Sequence, residues 1–251
     1  MAGTAIPGRL GWQLTHLVEK QIETPHVMTL RLESDAWPGH LPGQHVDVRL
    51  TAEDGYQAQR SYSIASAPAA GRLELTVEEI ADGEVSPYLS EELRPGDRLE
   101  LRGPIGGYFT WTEAKGGPLL LVAGGSGVAP LISILRYRKA IGSDIPATLL
   151  YSSRSWEEII YREELDRLSV DPALRVIHTL TRSHPDDWDG YTRRIDAAML
   201  EDVAGGPERD RLAYVCGPTL LVENVANNLV ALGYPPARVK TERFGPTGTG
   251  G

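Results

Sequence analysis

The sequence predicts two domains: a small six-stranded antiparallel β-barrel, then a doubly wound α/β unit built on a five-stranded parallel sheet. Three observations carry this reading. The first hundred residues fall into short runs of alternating apolar and polar character, separated by turn residues. Beyond Lys115-Gly116-Gly117-Pro118 the pattern changes to strand-length apolar runs alternating with helix-length segments. Just after that change, Leu119-Leu120-Leu121-Val122 leads through Ala123-Gly124-Gly125-Ser126-Gly127-Val128-Ala129 to Pro130. Apolar residues, a glycine-rich turn and a proline suited to a first helical turn read as strand, tight turn, helix.

Each element follows from local pattern. In the first unit, taken as 9–113, strands are expected at 12–19, 27–32, 45–50, 60–66, 72–77 and 98–102. Turn signals such as Leu41-Pro42-Gly43, Asp54-Gly55 and Pro95-Gly96-Asp97 punctuate them. Ser86 as N-cap and Pro87 as first helical residue predict one embedded helix running to about residue 93. In the second unit, taken as 117–244, strands are expected at 119–123, 147–151, 174–180, 212–216 and 238–241. Helices are expected at 130–141, 156–168, 197–203 and 219–232, and a flexible tail at 245–251. Ligands of such a sheet bind outside the carboxyl ends of its strands.

Composition narrows the function. A net charge of −9 over 251 residues argues against a nucleic-acid binder, which would carry a basic face. A single cysteine, Cys216, excludes a disulfide framework and any thiolate-held iron–sulfur or zinc cluster. The six histidines lack metal-ligand spacing, so no metal site is expected. The longest apolar stretch is broken by glycines and Pro130, and the N-terminal residues have no signal-peptide core, which points to a cytoplasmic protein without a membrane span.

Four clusters carry chemistry. Gly124, Gly125, Ser126 and Gly127 lie before a helix start, where backbone N–H groups and the helix dipole favour a pyrophosphate. The match to G-x-G-x-x-G is incomplete, because Pro130 stands where the third glycine belongs. In Arg60-Ser61-Tyr62-Ser63, a strand would place Arg60 and Tyr62 on one face, a charge for phosphate beside a flat surface for a ring. Ser152-Ser153-Arg154 follows a strand at the place where NAD folds carry an acidic residue for the ribose. Hydroxyls and a guanidinium there favour a 2′-phosphate, with Arg162 and Arg182 as possible additions. Cys216-Gly217-Pro218 ends another strand at the ligand rim.

Together, in this order, these residues resemble the ferredoxin–NADP reductase family of flavoenzymes from about residue 12 to 244. The resemblance implies the following roles. Arg60 binds the flavin diphosphate, Tyr62 packs on the flavin, Ser61 lies beside them, and Ser63 lies near N5. Gly83, Val85 and Ser86 form the G-x-x-S helix start under the diphosphate. Gly124 to Gly127 hold the dinucleotide pyrophosphate, Ser153 and Arg154 its 2′-phosphate, and Tyr161 its adenine side. Cys216, Gly217 and Pro218 lie beside the nicotinamide, with Glu242 and Phe244 near the flavin. Ser63, Cys216, Glu242 and Phe244 would then serve catalysis. The implied cofactors are FAD rather than FMN, and NADPH rather than NADH. The implied activity passes a hydride from NADPH to FAD, then electrons to a separate ferredoxin or oxygenase component. Alternatives are a flavin or small-molecule reductase and the reductase partner of a molybdenum enzyme. The chain departs from plant-type members in continuing past Phe244 and in placing phenylalanine where they carry tyrosine.

Overall fold

The computed structural model describes residues 10–69, 71–204 and 210–244; the tail expected at 245–251 lies outside them. In the N-terminal part, β1 (Trp12–Thr24), β2 (Val27–Glu33), β3 (His45–Thr51), β4 (Gln57–Ser63), β5 (Arg72–Glu78) and β6 (Arg98–Ile105) form one sheet. Its order is β4-β3-β6-β1-β2-β5, and neighbouring strands run antiparallel. The edges meet beyond β4, where Ile64 bridges Leu75 and the Ala65 N–H donates to the Glu74 carbonyl at 2.8 Å, closing the barrel. Period-two alternation sends Leu73, Leu75 and Val77 of β5 inward with Leu30, Leu32, Val46 and Val48, all buried. Val85, Leu89 and Leu93 join this core from the segment after β5.

The C-terminal part holds β7 (Leu119–Gly124), β8 (Ala147–Ser153), β9 (Leu174–Leu180), β10 (Leu212–Pro218) and β11 (Val239–Phe244) in the order β11-β10-β7-β8-β9, all parallel. Every residue of β7 is buried, the signature of a strand covered on both faces. Leu119 and Leu121 face a cluster with α1 (Val128–Ala140) and α2 (Arg162–Leu168), whereas Leu120 and Val122 face α3 (Ala197–Ala204) and α4 (Thr219–Ala231). The chain winds from β7 to one side and returns as β10 on the other. The switch point therefore lies between the ends of β7 and β10.

The two parts are packed and bonded along a seam. Val27, Ala65, Phe109 and Trp111 share the apolar cluster of α1 and α2. Ser133 donates to the Ser66 carbonyl at 2.7 Å, Arg136 to that of Ala65 at 3.0 Å, and Tyr214 to that of Thr110 at 2.9 Å.

Three expectations need correction. The helix expected at 156–168 forms only over Arg162–Leu168. Trp156, Ile159 and Ile160 have helical spacing, but they are drawn in from an irregular loop that ends on Tyr161 in the left-handed conformation, φ 60°. The helix expected from Pro87 is present over residues 86–92 but widens to π-helical geometry over Tyr88–Glu92. Ser86 caps nothing there, because its Oγ accepts the Ile80 N–H at 3.0 Å. The strand expected at 60–66 begins at Gln57 and ends at Ser63, where its pairing with β3 gives way to the closing bridge.

Candidate functional site

The barrel contributes one half of the site. On β4, Arg60 and Tyr62 share a face, and Ser61 and Ser63 occupy the other. Ser61 is committed elsewhere: its Oγ donates to Asp47 at 2.6 Å, and Asp47 also takes Arg102 at 2.6 Å. Burial works against the Asp47 charge, but these bonds prevail and hold its carboxyl below the usual range. Tyr62 packs against the barrel core, and burial pushes its phenol up to about 12, so it presents a neutral ring. Ser63 closes β4 opposite His45 and is half-buried.

The loop after β5 comes back over this strand. The exposed Arg60 guanidinium lies 3.6 Å from Glu84, whose carboxylate also accepts Tyr56 Oη at 2.5 Å. Two motifs more than twenty residues apart thus meet around one cation. Gly83 is required at its position, since a Cβ would lie 2.9 Å from the Ile80 carbonyl oxygen and 3.0 Å from Ser86 Oγ. Val85 is fully buried in the barrel core, so only its backbone is available to a ligand.

The α/β unit contributes the other half at its switch point. A cleft of about 240 Å³ is lined by Gly124, Gly125, Ser126, Ser152, Ser153, Arg154, Pro218 and Phe244 among others. Gly125 has φ +53° with open space where a side chain would stand, so the loop presents bare backbone to the cleft. Gly127 serves packing instead, because a Cβ would sit 2.2 Å from the Cys216 carbonyl oxygen. Its lack of a side chain lets the loop after β7 lie on the end of β10. Thr181 lines the same cleft, and the Arg182 N–H donates to the Arg154 carbonyl at 2.9 Å.

Parallel register sets Cys216 of β10 beside Glu242 of β11, and Pro218 beside Phe244. Cys216 is almost wholly buried, and burial, reinforced by the Glu242 charge, pushes its thiol well up. Burial alone pushes Glu242 up to about 7. The pair is therefore a neutral thiol next to a carboxyl poised to hold or lose a proton near neutrality.

Tyr161 and Arg162, expected at the dinucleotide, lie outside the cleft lining. Tyr161 turns its hydroxyl into the seam, 3.0 Å from Thr29 and 2.6 Å from Thr76 of the barrel, with Arg136 over its ring. Its left-handed backbone and these two bonds place it between the domains. Arg162 stacks on Trp156 and donates to the Trp156 carbonyl at 3.1 Å, outside the cleft lining.

Two residues of the site were not singled out by sequence, Glu78 in the cleft lining and Tyr151 behind it. Glu78 ends β5 and takes the Ser126 hydroxyl at 2.6 Å. Buried Tyr151 donates to the Gly125 carbonyl at 3.0 Å and accepts the Ile160 N–H at 3.3 Å, tying the glycine loop to the loop after β8. The one available signal for Tyr151 was a polar-tipped aromatic closing a largely apolar strand run, Ala147-Thr148-Leu149-Leu150-Tyr151. Among the described residues no group of three or more His, Cys, Asp or Glu could hold a metal ion. No helix there is long and apolar enough to cross a membrane.

Comparison with known proteins addresses the same two halves. A family model of the oxidoreductase FAD-binding domain matches residues 15–110, and one of the oxidoreductase NAD-binding domain matches residues 121–227. The chain belongs to the ferredoxin–NADP reductase superfamily. Among curated relatives, the glycine betaine monooxygenase reductase subunit of Pseudomonas aeruginosa is 31% identical over 82% of this chain and 56% of its own length. An NADH-cytochrome b5 reductase-like protein of Emericella nidulans is 32% identical over 90% of this chain and 48% of its own. The chain thus spans about half the length of these relatives. Among solved structures, the flavohem-like FAD/NAD-binding domain of nitric oxide dioxygenase from Vibrio cholerae superposes with a TM-score of 0.84 at 27% identity. That match covers 95% of this chain and all of the other.

The family's two nucleotides fit the residues present. The bare Gly125 backbone, Ser126 Oγ and Arg154 suit a dinucleotide, and Arg60, the Tyr62 ring and the Gly83 turn suit a flavin diphosphate and its ring.

Proposed function

We propose that this protein is a cytoplasmic NADPH-dependent flavoenzyme that delivers electrons to a separate acceptor protein, a ferredoxin or an oxygenase component. The observation that carries the reading is the cleft itself. It joins the bare glycine loop after β7 to Arg154 after β8, and it ends on Phe244 beside the Cys216–Glu242 pair. When bound, NADPH and FAD supply hydride transfer from the nicotinamide C4 to the flavin N5, followed by electron release.

The residues supply position and electrostatics. Arg60 offers a guanidinium to the diphosphate, and Tyr62 offers a neutral face against the ring. Ser126 and the loop N–H groups hold the pyrophosphate; Ser153 and Arg154 bind the 2′-phosphate. Ser63 donates a hydrogen bond near N5. Glu242, half-ionised near neutral pH, holds a proton at the flavin edge, while Cys216 packs as a neutral thiol beside the nicotinamide. Phe244, in the cleft lining and partly exposed, would cover the reacting face and give way to the nicotinamide. The acceptor assignment rests on the P. aeruginosa relative, whose name makes it the reductase subunit of a monooxygenase.

The test is a visible spectrum of the purified protein, then anaerobic addition of NADPH and, separately, NADH. A bound flavin bleached faster by NADPH is expected. Arg154→Ala should raise the KM for NADPH about tenfold, the loss of one charge-assisted contact, and leave that for NADH within about twofold. Preference for NADH in the wild type would overturn the 2′-phosphate assignment. Protein that takes up no flavin would overturn the whole reading.

A further inference from the structure

The dinucleotide loop is engaged by an anion of its own chain. Ser126 Oγ, in the turn ahead of α1, donates to Glu78 Oε2 at 2.6 Å. Glu78 belongs to the barrel. It is the last residue of β5, held in register opposite Val27 of β2, and it is half-buried in the cleft wall. A carboxylate thus takes the hydroxyl of the loop best placed to receive a pyrophosphate. The rest of the lining does not compensate, since among the described residues Arg154 is the only Lys or Arg side chain there and Glu158 is a second carboxylate.

We propose that Glu78 is an internal competitor for the pyrophosphate of the nicotinamide dinucleotide, and that it sets the affinity of the cleft and the speed of product release. The inference rests on the dinucleotide reading of the cleft given above. An incoming pyrophosphate can bond Ser126 only by displacing the carboxylate, and the two anions then stand close together in a partly desolvated cleft. Both effects weaken binding of oxidised and reduced dinucleotide alike, because the pyrophosphate is common to them. A carboxylate at this position therefore keeps the nucleotide exchangeable. It also links nucleotide entry to the seam, since it reaches from the barrel to the loop of the other domain.

The test is calorimetric titration of flavin-loaded protein with NADP⁺, which requires no turnover, using wild type, Glu78→Gln and Glu78→Lys. Neutralising the charge should tighten NADP⁺ about tenfold, a modest like-charge interaction removed, and the lysine variant should bind tighter still. An order of Lys, then Gln, then Glu follows charge and not size, so a merely structural role would not produce it. Displacement of NADP⁺ by excess NADPH, followed by rapid mixing, should show slower release from both variants. Equal affinities in all three proteins would overturn the role of Glu78 while leaving the dinucleotide site intact. Weaker binding by Glu78→Gln would also overturn it, and would make the carboxylate an acceptor for the nucleotide's own hydroxyl groups. If no form binds NADP⁺ or NAD⁺, the cleft assignment falls and this inference with it. Retention of flavin and an unchanged melting curve show that each variant is folded. Glu78→Ala serves as the neutral variant if the glutamine form is not.

Discussion

The carboxyl of Glu242 shows how one half-buried side chain couples the site to stability. Its carboxyl stands at about 7 in the folded chain against 4.5 for a free group, so the native state retains a proton that the unfolded chain gives up. Stability therefore falls as pH rises from about 4.5 to 7 and is level above, by at most about 3–4 kcal/mol at roughly 1.4 kcal/mol per unit. Glu242→Gln removes this cost, and its melting temperature should gain on the wild type across that interval and stay ahead at higher pH. A constant gap from pH 4 to 8 would contradict the burial argument. Tyr151 makes a second point at the same scale. Tyr151→Phe leaves the Gly125 carbonyl and the Ile160 N–H without their shared partner, a loss of about 1–2 kcal/mol in a buried setting. Dinucleotide affinity should drop several-fold while flavin content is unchanged, as a binding titration and a spectrum would show. Neither residue's environment could be read from composition or spacing, because burial and the direction of a hydroxyl come from tertiary packing.

Among the elements, the loop after β7 shows most plainly which parts of a site are written in sequence. Its glycines announced a tight turn before a helix, and that turn is present. Their division of labour was not announced. Gly125 presents bare backbone at positive φ, whereas Gly127 makes room for the Cys216 carbonyl. The distinction depends on β10, ninety residues further on. It predicts different outcomes for the same substitution. Gly125→Ala should cost about 1–2 kcal/mol from left-handed backbone strain and weaken dinucleotide binding. Gly127→Ala forces β7 and β10 apart and should cost about 3 kcal/mol or more by overpacking, seen as a lower midpoint in urea. Strands were legible for a related reason: alternation in the barrel and unbroken apolar runs in the parallel sheet report directly on how many faces are covered. The loop at 156–161 misled because Trp156, Ile159 and Ile160 have helical spacing, yet the isoleucines are buried and the tryptophan half-buried by a loop anchored through Tyr161.

For the whole molecule, the relation between the two halves governs whether the two nucleotide sites can work as one. Arg136 is the main fastener. It pairs with Glu74 of β5 and Glu164 of α2, both at 2.7 Å, and donates to the Ala65 carbonyl. Arg136→Ala takes the guanidinium from half-buried Glu164 and leaves Glu74 with Arg31 alone, and a loss of about 2 kcal/mol is expected. Tyr161→Phe removes only the bonds to Thr29 and Thr76, and about 1 kcal/mol should follow. Chemical unfolding gives both values, and limited proteolysis should cut the alanine variant first between the halves. The acceptors at this boundary have a further meaning. Ser133, Arg136 and Tyr214 all land on carbonyl oxygens of Ser66, Ala65 and Thr110. A carbonyl is supplied by any amino acid, so mutation of those three barrel positions leaves the bonds available. What ties the barrel to its neighbour at these points is thus carried by main chain rather than by side-chain identity, and only the close fit of buried Ala65 and Thr110 limits which residues can stand there.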